Sequence, residues 1–321
     1  MIRIFNNANY DFFSVWRKAV IATAAFFAIG VVALLARGLN YSIEFTGGTL
    51  VQIEAPAQLD VGAIRSALTA GGLPGAELTP FDEGRGIDIR ARTAAEGTDA
   101  ENTEQTRAAV VGVLDQVVGA GNYTVNYSEA VSPKVGGELR TQAFFAIFLS
   151  FFAVLAYLAY RFEWRFGLAA VVATAHDIVL TICFIAIMHF EVSLVVIAAI
   201  LSMVGYSLND TIIIFDRVRE NLHKHRRDQL VPVINRSINE TLPRSVLTHA
   251  TTLAALAALL VFGGEVIRPF AAVMAFGVFT GTFSSIFIAG PVLNIIEQRY
   301  PGVDGRGVKV APRVKARPGT V

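Results

Sequence analysis

Residues 205–220 read GYSLNDTIIIFDRVRE, and residues 192–204 ahead of them are almost wholly apolar. Together they have the character of a membrane-crossing helix, which needs roughly 20 apolar residues to span about 30 Å of hydrocarbon. Asn209 and Asp210 interrupt that run, and a charged stretch begins only after the further apolar residues IIIF. An ionisable side chain at membrane depth costs at least ~2.5 kcal/mol, so it normally faces protein or water. At about 100° per residue, Ser202, Tyr206, Asn209 and Asp210 share one broad face. Leu201, Val204, Leu208, Ile212 and Phe215 fall opposite, where a lipid-facing stripe is expected. Asp210 precedes Asp216 by two helical turns at most, which puts it roughly 9 Å inside the membrane boundary.

The rest of the chain agrees on the class. Of 321 residues, 54% are hydrophobic and 17% charged, and the mean hydropathy is +0.53, above the apolar usage of soluble domains. The net charge of +1 creates no global field for nucleic acid. The single cysteine, Cys183, lies in an apolar run, so there is neither a disulfide framework nor a zinc pattern. Nothing in the motifs calls for a cofactor or a metal. Six segments have membrane-crossing character, near 19–36, 143–160, 167–188, 192–215, 245–264 and 269–296. The first ends in LLARGLNY without a small-x-small cleavage site, so it reads as a retained anchor.

Six spans put both termini on one side. That side collects 18 of the 27 basic residues, including seven from Arg217 to Arg244 and six from Arg299 to Arg317, whereas the short loops opposite carry only Arg268. The termini are therefore expected in the cytoplasm and the large loop outside it. The loop 37–142 holds 14 acidic and eight basic residues, a net charge of −6 that excludes a nucleic-acid surface.

That loop carries folding signals of its own. GGTLVQIEA alternates like a strand, and LDVGAIRSALTAG reads as a helix ending in glycine. Strands follow at 76–81 and 86–92 around the turn DEGRG, then a helix at 103–118 and a strand at 123–129. Residues 94–102 read as a flexible loop. The order βαββαβ is the ferredoxin-like, split-βαβ arrangement, which names no function by itself.

Further polar residues lie within the spans. In the third, Thr174, Asp177 and Thr181 share a face, with Asp177 about 15 Å deep. His176 points about 100° away, so HD need not act as one pair. In VPVINRSINETLPRS, Val231, Ile234, Ile238 and Leu242 recur at helical spacing, the pattern of an interfacial amphipathic helix. It leads through Pro243 into the fifth span, where Arg244, Thr248, Thr251, Thr252 and Ala255 share a face. Tyr206 supports the corresponding face of the fourth. Arg244 is long enough to reach an aspartate one or two turns into that fourth span. Low dielectric favours a neutral carboxyl group and a nearby arginine favours the charged form, so a pair that meets and parts binds and releases a proton. Helix-to-helix bonding is the competing role for Asn209, Asp210 and Asp177. His176 and His249 read as packed polar residues, GVFTG (277–281) as a small-residue contact surface, and Asp216, Arg217, Arg219 and Glu220 as a solvated helix end. The basic tail has some attraction for anionic lipid. No G-x-x-x-x-G-K-[ST] or H-E-x-x-H is present, and TFSSI lacks the glycines of G-x-S-x-G, so the chain is not read as an enzyme.

IEFTGGT after the first span, VSPKVGGEL before the second, AHD in the third, GYSLNDTIIIFDRVREN in the fourth and TLPRSVLTHATTL into the fifth resemble the SecF family. This is the smaller membrane subunit of the SecD–SecF accessory of the bacterial protein-export translocase, within the resistance–nodulation–division superfamily. The resemblance implies a membrane bundle of six transmembrane helices with one α+β ferredoxin-like periplasmic domain between the first two. The expected divisions are 1–37, the periplasmic domain 38–138, the remaining helices 139–297 with a cytoplasmic loop 217–244, and a basic tail 298–321. It implies Asp210 and Arg244 as the proton-path pair with Asn209 beside them; Asp177, from its own depth in the third span, is the weaker candidate for proton coupling. Glu44, Phe45, Thr46, Gly47 and Gly48 would form a periplasmic hinge. Glu44 stands where the family usually has Asp, Pro243 where a small polar residue or histidine is common, and His249 where serine is common. The implied partners are a SecD-like membrane subunit, the Sec translocase channel, an unfolded secretory polypeptide and protons. Six spans make half of the superfamily's usual twelve-span unit, so a SecD-like chain or a second copy should complete it. The expected function is use of the proton-motive force to promote polypeptide translocation across the bacterial cytoplasmic membrane. The alternative is a proton-driven exporter of small molecules or lipids from the same superfamily, whose periplasmic portion is usually larger and duplicated.

Overall fold

The computed structural model describes residues 9–91, 99–131, 133–161, 163–225, 228–264, 267–300, 303–304 and 308–309. In chain order the elements are α1 (Phe12–Arg37), β1 (Asn40–Tyr41), α2 (Ile43–Thr46), β2 (Gly48–Glu54), α3 (Val61–Ala70), β3 (Glu77–Phe81), β4 (Gly86–Ala91), α4 (Asp99–Leu114) and β5 (Thr124–Val131). There follow α5 (Pro133–Arg161), α6 (Trp164–Met188), β6 (Glu191–Val192), α7 (Leu194–Lys224), α8 (Leu230–Phe262), α9 (Ile267–Ser284), a π-helical turn (Ser285–Ala289) and α10 (Gly290–Arg299). Among the described residues, six helical runs are long and apolar enough to cross a membrane: α1, most of α5, α6, α7, α8 and the stretch Ile267–Arg299. The chain divides into two compact units.

The smaller unit, Asn40–Phe148 with Glu191–Leu194, is built on a four-stranded antiparallel sheet in the order β3-β4-β2-β5. Alternation in β2 and β4 sends Val51, Ile53, Ile87 and Ile89 inward. There they pack with Ile64 and Leu68 of α3 and Val110 and Leu114 of α4. Asp60 starts α3 by accepting hydrogen bonds from the Gly62 and Ala63 amides at 2.9 and 3.0 Å, two donors that the first helical turn leaves unpaired. Residues 99–102, expected in a flexible loop, instead form the first turn of α4. The remainder of that expected loop lies outside the described residues, as does most of the basic tail.

Residues 191–194, between α6 and α7, belong to this same unit. Here β6 runs parallel to β1, Ser42 N donates to Val192 O at 2.9 Å, and Leu194 N donates to Glu44 Oε2 at 2.5 Å. Arg90 pairs with Glu191. Burial pushes the Glu191 carboxyl above its ordinary range, opposed by the Arg90 guanidinium; burial likewise raises Asp88, against the hydrogen bond from Gln52. Within IEFTGGT, α2 is a single turn, followed by Gly47 and Gly48 at φ +73° and +133°, a region that favours glycine. Gly136 of VSPKVGGEL packs there too, since a Cβ on it would lie 3.0 Å from Gly47 N. These two stretches of the resemblance thus lie against each other.

The larger unit holds the remaining helices, α5 only from Leu149 onward and α7 from Val195 onward. Its α6 packs on α1 and α9, and α9 also packs on α8. Two expectations are corrected here. Val204, Leu208 and Phe215, placed on a lipid-facing stripe, are buried in the bundle, while Ser202 and Asn209 on the polar face are exposed. Of the apolar face expected at a lipid interface at the start of α8, Ile234 and Ile238 are instead buried in one cluster with Leu293, against which Leu242, Phe12 and Phe13 also pack, while Val231 is half-buried. Apolar periodicity marks a face that leaves water, and hydrocarbon and protein satisfy it equally. Pro243 lies inside α8, which continues through it. Two asparagines one turn apart hold α8 to the chain ahead of α1. Asn239 accepts from Tyr10 N and donates to Tyr10 O, both at 2.9 Å, while Asn235 accepts from Phe12 N at 3.1 Å and donates to Asp11 at 2.7 Å.

Candidate functional site

Among the described residues, two buried carboxyl groups stand in the helices of the larger unit. Asp210 on α7 is 4% exposed and Asp177 on α6 is fully buried. They have different surroundings.

Asp210 faces the start of the membrane-crossing part of α8. Ser245 Oγ donates to its Oδ1 at 2.6 Å, and its Oδ2 has no hydrogen-bond partner. A cavity of about 50 Å³ is lined by Tyr206, Asn209 and Asp210 from α7 and by Arg244, Ser245, Thr248 and His249 from α8. Among the described residues no ion pair joins Arg244 to Asp210. The carboxylate and the guanidinium share a cavity without touching, and Arg244 is exposed. Tyr206 ties the two helices together: its hydroxyl donates to Thr248 O at 3.1 Å and bonds Thr252 Oγ1 at 2.9 Å. Its ring lies edge-on to the His249 ring at 5.4 Å. Thr251 bonds only carbonyls of its own helix, at 3.1 and 2.9 Å, and takes no part in that contact. Asn209 lines the cavity from an exposed position.

Asp177 sits where α6, α7 and α9 meet. Ser207 Oγ and Ser284 Oγ both donate to its Oδ2 at 2.6 Å, and His176 Nδ1 lies 3.1 Å from Oδ1. The expectation that His176 points away from Asp177 is therefore corrected. Backbone positions one apart diverge by about 100°, yet side-chain torsions turn the ring back to the carboxyl. Thr174 and Thr181 bond backbone carbonyls of α6 and leave the Asp177 carboxyl to the serines. One turn further along α7, Thr211 Oγ1 and Ser285 Oγ are 2.7 Å apart. The π-helical turn that begins at Ser285 shifts the angular register of the last span. Adjacent serines thereby serve different helices, Ser284 reaching α6 and Ser285 reaching α7.

Close approach makes this arrangement possible. A Cβ on Gly277 would meet Met203 at 2.6 Å, and one on Gly281 would meet Ser207 Cβ at 2.7 Å. The small-residue surface GVFTG is thus seated against α7. Ser245, Ser207, Ser284 and Ser285 escaped the sequence reading. Their available signal was position, since each is a hydroxyl inside or beside an apolar run. At the helix end, Asp216 is bound by Arg161 at 2.9 Å, and α7 continues beyond it to Lys224.

Six apolar helical runs among the described residues, carboxyl groups buried within them and an α+β insertion after the first define a multi-pass membrane protein with titratable groups inside the bundle. Family comparison agrees: the model described as protein export membrane protein SecD/SecF, C-terminal, matches residues 112–299, and the SecD/SecF GG motif matches residues 32–55. The chain belongs to the SecF family of protein translocase subunits, which makes it a membrane component of Sec protein export. It is 53% identical to the SecF of Gemmatimonas aurantiaca over 98% of this chain and 95% of that protein. It is 40% identical to the SecF of Desulfurispirillum indicum over 88% of this chain and 90% of that one. Among solved structures it is similar to SecDF, a translocon-associated membrane protein from Thermus thermophilus, with a TM-score of 0.82 and 34% identity. That likeness covers 93% of this chain and 40% of the other, so this chain spans less than half of the SecDF polypeptide. A SecDF structure in a super-membrane-facing form gives a TM-score of 0.65 at the same 34% identity.

Proposed function

We propose that this chain draws on the proton-motive force to promote translocation of unfolded polypeptide across the bacterial cytoplasmic membrane, with Asp210 as the proton carrier and Arg244 as its intermittent counter-ion. The observation that carries this reading is the half-satisfied Asp210 carboxyl, one oxygen held by Ser245 and the other without a partner in the cavity that Arg244 also lines. An aspartate meant only to join helices would have both oxygens bonded, because an unsatisfied buried polar atom is costly. Approach of Arg244 favours the charged carboxylate, and withdrawal favours the neutral acid. Asn209 borders the path, and Tyr206 with Thr248 and Thr252 keeps α7 and α8 in register. A unit charge crossing 100 mV releases about 2.3 kcal/mol, so a few protons per stroke suffice to move a domain.

A SecD-like membrane subunit completes the path. In support, Ser202 and Asn209 lie exposed on the same helix as Asp210, and polar residues at membrane depth are normally covered by protein. The α+β unit is the periplasmic domain: its βαββαβ order and sheet order β3-β4-β2-β5 agree with a ferredoxin-like arrangement, and the basic loops favour cytoplasmic termini. Glu44 to Gly48 serve as its hinge. The Sec channel and the secretory polypeptide are the remaining partners. The protein acts without hydrolase chemistry.

Purification in gentle detergent tests the assembly, with recovery of a SecD-like chain and the translocase channel expected. Pulse-chase export in cells carrying Asp210→Asn tests the mechanism. Normal export with the partner retained would refute it.

A further inference from the structure

Asp177 differs from Asp210 in one respect that bears on its chemistry: every atom of its carboxyl group is supplied, and supplied without a cation from Lys or Arg. Oδ2 takes hydrogens from Ser207 and Ser284 at 2.6 Å each, and Oδ1 faces His176 Nδ1 at 3.1 Å. The charged groups of the neighbouring elements lie elsewhere. On α1 they are Arg17, Lys18 and Arg37, towards its two ends, and on α9 only Arg268, near its start. The π-helical turn has none. On α6 itself Arg165 pairs with Glu297 of α10 at 3.1 Å. On α7 the carboxyl of Asp210 is bonded by Ser245 of α8, and the groups from Asp216 onward lie past it, towards the C-terminal end of the helix. His176 is the one titratable group, among the described residues, bonded to Asp177.

Ser284 has two acceptors in reach. Its Oγ lies 2.6 Å from Asp177 Oδ2 and 3.1 Å from Gly281 O on its own helix. A hydroxyl carries one hydrogen, so these two bonds are alternatives. When the carboxylate is charged, Ser207, Ser284 and His176 all donate to it. When Oδ2 carries a proton, that O–H donates to Ser284 Oγ while the Ser284 hydrogen turns to Gly281 O; Ser207 and His176 still donate. Both states leave each oxygen of the Asp177 carboxyl group hydrogen-bonded.

We propose that Asp177 is a second proton-binding site, distinct from Asp210, in which rotation of the Ser284 hydroxyl replaces the arrival of a cation. The reaction is the addition of one proton from hydronium to the carboxylate, giving the neutral acid and water; no other bond forms or breaks. The hydroxyl pair Thr211–Ser285 extends the polar strip along α7. The inference rests on the proton-coupling reading of the family site, and its test is separable from that reading.

The test is infrared difference spectroscopy on the full chain reconstituted with its partner in lipid bilayers, stepped between about pH 8 and about pH 5, which brackets most perturbed carboxyl groups. Protonated carboxyl groups show a carbonyl band separate from the amide bands. Asp177→Asn should remove one carboxyl's share of the pH-induced band, and Asp210→Asn a different share. Ser284→Ala should shift the frequency and midpoint of the Asp177 contribution, and Ser284→Thr should restore them. If the Asp177→Asn spectrum matches the unaltered protein, Asp177 holds one state throughout and is helix glue. If Asp177→Asn fails to insert, Ser284→Ala decides: an unchanged difference spectrum overturns the proposal. Loss of an Asp177 band beside normal export by Asp210→Asn would leave this site standing while refuting the family-site reading.

Discussion

Replacing Gly281 by alanine should be disproportionately damaging. The added Cβ would lie 2.7 Å from Ser207 Cβ and 3.0 Å from Ser207 Oγ. Ordinary carbon contacts are about 3.5–4.0 Å, so the shortfall is about 1 Å. Ser207 Cβ is fixed to its helix and has no rotamer that clears the clash, so α9 and α7 must part. A separation of that size carries the 2.6 Å bonds from Ser207 and Ser284 to Asp177 to the edge of hydrogen-bond range. Overpacking costs about 1–3 kcal/mol, and a buried acceptor stripped of donors adds about 1–3 kcal/mol. The better helix propensity of alanine returns about 1 kcal/mol, leaving a net loss of about 1–5 kcal/mol. Gly205→Ala on α7 is the control, because nothing lies within 4 Å of its added Cβ. Thermal unfolding in matched micelles, followed by near-ultraviolet circular dichroism, should show Gly281→Ala melting well below the unaltered chain and Gly205→Ala at or above it. Equal melting of Gly281→Ala and the unaltered chain would refute the close packing of α9 on α7 and the serine bracket that depends on it.

The segment 38–138, expressed alone, should be soluble and folded, because its core draws on the sheet, α3 and α4 together; a random-coil circular dichroism spectrum would show otherwise. In that fragment Asp88 has a raised folded-state pKa through burial, so its contribution favours folding at low pH and is lost as pH rises through the folded value. Asp88→Asn should therefore be the more stable form at neutral pH, with the difference shrinking on acidification; a difference that grew would reverse the sign of the argument. For topology, Cys183→Ala gives a thiol-free background. A membrane-impermeant thiol reagent applied from the periplasm should then label Glu77→Cys and spare Lys224→Cys, and labelling of Lys224→Cys would invert the orientation.

The spans were legible because a run long enough to cross hydrocarbon is a strong signal in composition alone, and the sheet because β2 and β4 alternate cleanly over Val51, Ile53, Ile87 and Ile89. The side of each span was less legible. Val204, Leu208 and Phe215 were expected to face lipid and face protein, since an apolar stripe suits either. The site split the same way. Asp210, Arg244 and Tyr206 stand out as polar groups in apolar runs, and the structure gathers them around one cavity. The bond between His176 and Asp177 depends on side-chain torsions that a helical wheel does not represent. Ser284 and Ser285 depend on a π-helical turn that regular 3.6-residue periodicity cannot anticipate. Ser245 was visible beside Arg244, but nothing in its residue type distinguished it from the threonines that follow.

The central claim is that Asp210 moves protons to drive export. Its most direct measurement is of export and proton conductance in the same vesicles, reconstituted with the SecD-like partner and the channel, under an imposed proton gradient. Asp210→Asn keeps volume and hydrogen bonding but cannot titrate, and Arg244→Met removes the counter-ion; both should assemble with the partner. The account predicts that each abolishes the gradient-dependent increment of export together with the associated proton flux. An Asp210→Asn complex that assembles, exports and conducts protons as the unaltered protein does would contradict it.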